Sequence, residues 1–220
     1  RWATDIGLKR VALLHADSEV GRQHLENLRL ACTEARAVFG YGLPYKQDID
    51  DGGIGALVDR LRNDPVEIVL NHGSAGVYER LIRRAREVGL GVAFAGVNSG
   101  ATELAASLGP LAQGMVFSQV MPSPWARKTA LTREYQAALA ARFPGRTFSY
   151  GSLEGYATAK ALVAVLRQAG SDLTRSSLLR ALRGGDFDLG GLRVRYRNGH
   201  HEGSTFVDLA MVTREGRFLQ

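Results

Sequence analysis

Cysteine is almost missing from these 220 residues: Cys32 stands alone. An intramolecular disulfide and a multi-cysteine zinc site are therefore excluded, and Cys32, on the apolar stripe of a predicted helix, reads as core. Long apolar runs are missing too. The longest, Ala161–Leu166, falls far below the roughly 20 residues of a membrane-spanning helix. Lysine is scarce, supplying four of the 28 basic residues against 24 arginines. The net charge of +6 is spread along the whole chain. Its densest groups are Arg80, Arg83, Arg84 and Arg86 on one predicted helix, and Arg193, Arg195 and Arg197 alternating along one strand face. Neither is interleaved with aromatics, and no helix-turn-helix or zinc-finger spacing is present, so both read as solvated basic faces and nucleic acid is not an expected partner.

Enzyme signatures are equally thin. No Walker lysine loop and no Gly-x-Gly-x-x-Gly follows the first predicted strand, so nothing supports a phosphate cradle. Gly151-Ser152-Leu153-Glu154-Gly155 puts its serine in the wrong slot for a nucleophile elbow. A phosphoacceptor domain would need clustered acids after the first strand and a lysine at the fifth; Asp17 is there, but Phe117-Ser118-Gln119 has no lysine. His200-His201-Glu202 sits in a predicted loop with no second ligand group nearby in sequence. No cofactor and no metal is expected. The chain opens at Arg1 with neither methionine nor an apolar leader, so targeting is not readable from it.

What is present is an alternation of short apolar runs with amphipathic segments, on a composition that is 45% apolar and so able to build a core. Strands are predicted at Val11–His15, Tyr41–Gln47, Glu67–Asn71, Val92–Val97 and Met115–Val120. Between them lie helices marked by Leu25/Leu28/Cys32, by Ile54/Leu57/Val58/Leu61, by Tyr78/Leu81/Ile82/Ala85 and by Thr102–Leu108. Near-continuous apolar strands separated by helices imply a parallel sheet covered on both faces. Residues 1–121 are expected to form a five-stranded α/β lobe. At Met121-Pro122-Ser123-Pro124 the pattern changes to a linker or hinge. Residues 122–220 then predict helices over Trp125–Arg142, Ser152–Ala169 and Thr174–Arg183. A strand with Leu192, Val194 and Tyr196 alternating follows, then another over Phe206–Val212, with turns at Asn198-Gly199 and Glu215-Gly216. That is too few strands for a sheet of their own.

In open parallel sheets ligands bind outside the carboxyl ends of the strands. Those ends here carry His15-Ala16-Asp17-Ser18-Glu19, Gln47-Asp48, Asn71-His72-Gly73-Ser74, Asn98-Ser99-Gly100 and Gln119. Ser74, and Asp17 or Ser18, are also natural helix caps, which competes with ligand contact. Polar groups converging from several strand ends nonetheless point to a cleft, polar and uncharged, with the arginines on the backs of the helices.

Laid out this way, the sequence resembles the type I periplasmic solute-binding proteins of ABC transporters, and among them the leucine/isoleucine/valine-binding branch. The resemblance rests on Val11–Gly21, Leu81–Leu90, Gln119–Pro122, Ser152–Tyr156 and Phe187–Val194, in order over almost the whole chain. It implies an α/β fold of the periplasmic-binding-protein type I class: a doubly wound parallel-sheet lobe plus an incomplete second lobe. On that plan residues 1–121 are the family's second, ligand-binding lobe. Residues 122–220 are hinge and return segment, with helices of the first lobe and closing strands, so that the sequence looks like the C-terminal part of a longer chain. The resemblance also implies a periplasmic, non-enzymatic binding component whose partners are a small-molecule solute and the membrane permease of an ABC importer. The alternative is a ligand-sensing effector domain of a receptor or transcription regulator.

The site expected from strand ends and resemblance together is Asp17, Ser18, Glu19, Val20, His72, Gly73, Ser74, Ala75, Asn98 and Ser99. Where the family often has an aromatic before the glycine after the first strand, this chain has Val20. Where it often has a tyrosine after the third strand, Ala75 follows Ser74. The glutamate that holds a ligand ammonium after the fourth strand is replaced by Asn98-Ser99-Gly100. An amide, an organic acid or an aromatic acid is therefore as plausible a solute as an α-amino acid.

Overall fold

The computed structural model describes residues 2–197 and 200–220; the expected Asn198-Gly199 turn lies outside them. The chain runs α1 (Trp2–Asp5), β1 (Arg10–Ala16), α2 (Glu19–Ala35), β2 (Val38–Tyr45), α3 (Asp51–Asn63), β3 (Ile68–His72), α4 (Ala75–Glu87), β4 (Ala93–Gly96), α5 (Ala101–Leu108) and β5 (Val116–Gln119). It continues through α6 (Ala130–Arg142), α7 (Tyr150–Ala169), α8 (Arg175–Gly184), β6 (Phe187–Asp188), β7 (Arg193–Val194), β8 (Asp208–Val212) and β9 (Phe218–Leu219). Two compact units result. One comprises the chain up to Ser118 with Ala210–Leu219, the other Gln119–Leu209 with Gln220. The last strands, grouped by the sequence with residues 122–220, thus return to the sheet of the first unit.

That sheet has seven strands in the order β2-β1-β3-β4-β5-β8-β9. The first five pair in parallel, and β8 and β9 close antiparallel across the turn in which Gly216 takes φ 73°. Val11–Leu14, Ile68 and Val69 are all buried, because a parallel sheet carries helices on both faces and leaves no wet side. Helices α2 and α3 start where side chains satisfy the first backbone N–H groups. Ser18 Oγ accepts from the Gly21 N–H at 3.1 Å, and Asp50 Oδ1 accepts from the Gly53 N–H at 2.8 Å. Helix α4 buries Val77, Tyr78, Leu81, Ile82 and Ala85 at helical spacing. Each large apolar side chain removed from water on this face contributes about 1.5–3 kcal/mol. Cys32 is buried with Val11, Ile68 and Ala95, and burial pushes its thiol pKa up.

Of the element boundaries that differ from the sequence expectation, three have a plain local reason. Strand β2 begins at Val38, ahead of Tyr41, because Gly40 is an extra residue: Val11 pairs with Phe39 and Ala12 with Tyr41, a bulge that breaks the period-2 pattern. Helix α6 begins at Ala130, not Trp125, because Thr129 caps it by accepting from the Thr132 N–H at 3.2 Å; Trp125 packs edge-on against Tyr150 instead. The expected alternation through Tyr196 yields only the two-residue strand β7, paired antiparallel with β6. Asp188 Oδ1 accepts the N–H groups of both Gly190 and Gly191 at 2.8 Å. Both glycines have φ near +100°, a backbone region open to glycine and strained for other residues.

The second unit has its own core. Leu131, Tyr135, Leu153, Ala157, Val165, Ala181, Phe187 and Leu192 are buried together. The helical stripes of α6, α7 and α8 therefore close on one another and on the β6–β7 hairpin. Lys160 joins the layers, pairing with Glu134 and donating to the Leu189 carbonyl.

Tyr78 is among the largest fully buried side chains. Its hydroxyl lies 2.8 Å from the carbonyls of both Val69 and Ala95, sharing one proton between β3 and β4, and burial holds its pKa far above the usual tyrosine range. Replacing Tyr78 by Phe leaves those carbonyls without this donor and is expected to cost about 1–2 kcal/mol of stability. The measurement is the urea midpoint of the variant at unchanged m-value; an unchanged midpoint would show that the bond contributes nothing.

Candidate functional site

Strand β1 lies between β2 and β3, so the chain leaves β1 towards one side and crosses back to the other. The carboxyl ends of β1 and β3 therefore flank a topological switch point, where an open sheet leaves a crevice. His15 and His72 are register partners at that point.

Close backbone packing shapes the crevice. A Cβ on Gly21 would stand 1.9 Å from the Ala16 carbonyl oxygen, so α2 can rest on the end of β1 only with glycine there. The same arrangement encloses His15. Its Nδ1 donates to the Ala16 carbonyl at 2.9 Å, and its Nε2 would meet a Cβ on Gly42 at 2.8 Å. Buried to 3% exposure, His15 is a structural histidine. Gly73 is fixed in the same way by Tyr45, whose hydroxyl would be 2.6 Å from an added Cβ. That hydroxyl accepts the Ser74 N–H at 2.5 Å, and the Asp17 N–H donates to the Tyr45 carbonyl at 2.7 Å. The ends of β1, β2 and β3 are thereby tied together. At the next strand, the position of a Gly100 Cβ lies 3.6 Å from the Ala75 Cβ, bringing the Asn98–Gly100 turn to the start of α4.

The ten expected residues do not share one condition. Ser18 is engaged as a cap. Asp17 is exposed and pairs with Arg22 at 3.4 Å. Glu19 and Val20 occupy the exposed first turn of α2. Ser74 holds the N-cap position of α4 but makes no side-chain cap bond, so its hydroxyl is uncommitted. The Gly73 N–H is taken by Asn71 Oδ1 at 2.9 Å. Asn98 is half-buried, Ser99 exposed, and the Asn98 carbonyl accepts the Ala101 N–H at 3.1 Å.

Two residues of the crevice were not in the expected set. His24, six residues into α2, stacks on His72 with ring centroids 3.6 Å apart and planes 25° apart; no local pattern announces a contact between a helix and the end of a different strand. Tyr45 was read as part of a buried strand, and its hydroxyl is the feature that matters. Burial first, and the charge of His24 second, hold the His72 pKa below its ordinary value. The His72 ring is therefore neutral at pH 7, one nitrogen able to donate and the other to accept. Among the described residues no group of three or more His, Cys, Asp or Glu could hold a metal ion, and no helix is long and apolar enough to cross a membrane.

A half-open hollow of about 350 Å³ lies in the second unit, lined by Met121, Leu162, Val165, Leu178, Leu182 and Tyr196. Its walls are almost wholly apolar, unlike the polar strand ends.

Known structures share this fold. A substrate-binding periplasmic protein from Ralstonia solanacearum is similar at a TM-score of 0.87 and 23% identity, covering 100% of this chain and 63% of its own. A possible leucine/isoleucine/valine-binding protein from Rhodopirellula baltica is similar at a TM-score of 0.86 and 26% identity, covering 99% and 61%. A branched-chain amino acid ABC transporter protein from Thermus thermophilus with bound valine has a TM-score of 0.80 and 22% identity, covering 99% and 60%. The chain thus spans about three fifths of the length of these proteins. No curated protein matches it at a significant level. The periplasmic binding protein family model matches residues 1–217, and the chain belongs to that family.

Proposed function

We propose that this chain is an extracytoplasmic solute-binding component of an ABC importer, holding a small polar metabolite at the carboxyl ends of β1, β3 and β4. The class intended is an amino acid, an amide or an organic acid. The observation that carries this reading is Ser74: an N-cap serine at the switch point whose hydroxyl does not cap its own helix. His72, whose lowered pKa favours the neutral imidazole, lies two residues earlier at the end of β3, and the backbone N–H groups of Ala75, Gly76 and Val77 precede the first intrahelical bond, from Tyr78 to Ser74. A solute carboxylate or amide would satisfy these donors, and a helix N-terminus favours negative charge. The valine bound in the Thermus thermophilus protein and the family match over residues 1–217 support the same class. Residues 1–121 acting as the ligand-binding lobe, and a permease as partner, belong to this reading.

The test is a thermal-shift screen over amino acids, amides and organic acids, because a ligand bound only by the folded state raises its stability. Absence of any stabilising solute overturns the proposal. With the solute found, calorimetry on two serine variants separates the roles. Ser74→Ala is expected to weaken solute binding by about 1–3 kcal/mol with unliganded stability unchanged, since no cap bond is lost. Ser18→Ala is expected to cost about 1 kcal/mol of stability through its cap.

A pH dependence follows from the stacked histidines. The folded His72 pKa lies below the unfolded value, so the unfolded state binds the proton more readily. Its contribution to stability is complete above about pH 6.5 and is lost as pH falls from there towards the folded pKa. Denaturant midpoints at a series of pH values should show this slope. The slope should shrink in His24→Gln, which removes the like charge, and vanish from the His72→Gln background.

A further inference from the structure

The second unit holds a basic hollow of about 400 Å³, lined by Asp186, Arg193, Arg195, Arg197, His200 and Thr205 among others. The sequence pattern builds it. Leu192 and Val194 are buried at 3% and 9% exposure, and side chains two apart on a strand share a face. Burying the apolar positions therefore turns all three arginines to the opposite side. Residues 200–205 are tied back to the arginine row: the Arg195 N–H donates to the Gly203 carbonyl at 2.7 Å, and the His200 N–H to the Arg197 carbonyl at 3.0 Å. His200 and Thr205 thereby come to face the arginine row.

The charges do not cancel. Asp186 stands between Arg193 at 3.4 Å and Arg195 at 4.0 Å, holding those two guanidinium groups side by side. Among the described residues Arg197 makes no ion pair, and Glu202, which lines the same hollow, reaches no cation within 4 Å. Three arginines against two carboxylates leave one net positive charge before His200 is counted. The Thr205 hydroxyl makes no hydrogen bond among the described residues. An excess of planar, fork-shaped donors around a polar hollow is the arrangement that matches a tetrahedral oxyanion, whose oxygens accept in pairs.

We propose that this hollow binds a doubly charged oxyanion of the phosphate type, with Arg197 as the principal contact and Arg195, Arg193 and Thr205 completing the set. The site lies in a different unit from the strand-end crevice and does not depend on the solute reading. Its arginines are well exposed, with side-chain accessibilities of 73% for Arg193 and 59% for Arg195, so binding is weak and falls with ionic strength. The phosphate could be free in solution or carried on a lipid headgroup.

Calorimetry with inorganic phosphate tests the site, at low salt and with chloride held constant. A dissociation constant on the order of 1 mM, about 4 kcal/mol of binding free energy, is expected. Arg197→Ala should weaken it about tenfold or more, and Arg197→Lys should recover only part, because a lysine cannot donate as a fork. Arg142→Ala, an exposed arginine of the same unit outside the hollow, should leave it unchanged. No binding above the chloride baseline, or equal loss in Arg142→Ala and Arg197→Ala, overturns the proposal. Phosphatidylcholine vesicles doped with phosphatidic acid identify the source. Co-sedimentation lost in Arg197→Ala assigns a headgroup, and phosphate binding without co-sedimentation assigns the free ion. Retained thermal stability in each variant shows that the fold is intact.

Discussion

The first unit depends on how closely α2 sits against the end of β1. A Cβ at Gly21 would lie 1.9 Å from a backbone oxygen, a distance no side-chain adjustment can relieve. This one approach determines three others. It lets the Ser18 hydroxyl reach the Gly21 N–H and encloses the His15 ring, which is buried against Ala16. It also carries the next turn of α2 across the sheet so that His24 lands on His72. Strands β1 and β3 supply a rigid floor because their residues are buried on both faces. The polar crevice is what remains where that floor ends.

Much of the architecture was legible before the structure. Continuous apolar runs at Val11–Leu14 and Ile68–Leu70, and helix stripes such as Tyr78, Leu81, Ile82 and Ala85, are local signals, and local signals survive without tertiary context. The misreadings share a cause as well. The Gly40 bulge, the Thr129 cap that starts α6 and the short β6–β7 pairing are set by one or two hydrogen bonds or one extra residue, which hydrophobic periodicity does not record. Within the candidate site the strand ends themselves were readable from strand order, but not the state of each side chain. Ser18 and Ser74 are indistinguishable in sequence, both small hydroxyls before a helix, yet one spends its hydroxyl on the backbone and the other does not. The His24–His72 stack joins residues 48 positions apart, and no spacing rule could have paired them.

The second unit illustrates another route from pattern to shape. It has too few strands for a sheet of its own, and its helices close on each other, with Leu131, Tyr135 and Leu153 among the fully buried residues. The hairpin that completes this core needs two consecutive glycines beside Asp188, and the Asp188 carboxylate, accepting both N–H groups, has its pKa lowered by them. The same hairpin turns its arginines outward. One period-2 pattern therefore serves a core on one face and a charged surface on the other.

Cys32 gives the first unit a built-in reporter. The thiol is 4% exposed, packed between α2 and the sheet, and its raised pKa leaves little thiolate to react even when reached. A soluble alkylating reagent can therefore modify it only in molecules whose α2 has transiently lifted away. With reagent in excess and opening fast, the labelling rate measures the population of that opened state. Any ligand held against the first turn of α2 would slow labelling by the factor through which it suppresses the opening, so occupancy of the crevice can be timed chemically by the Cys32 sulfhydryl.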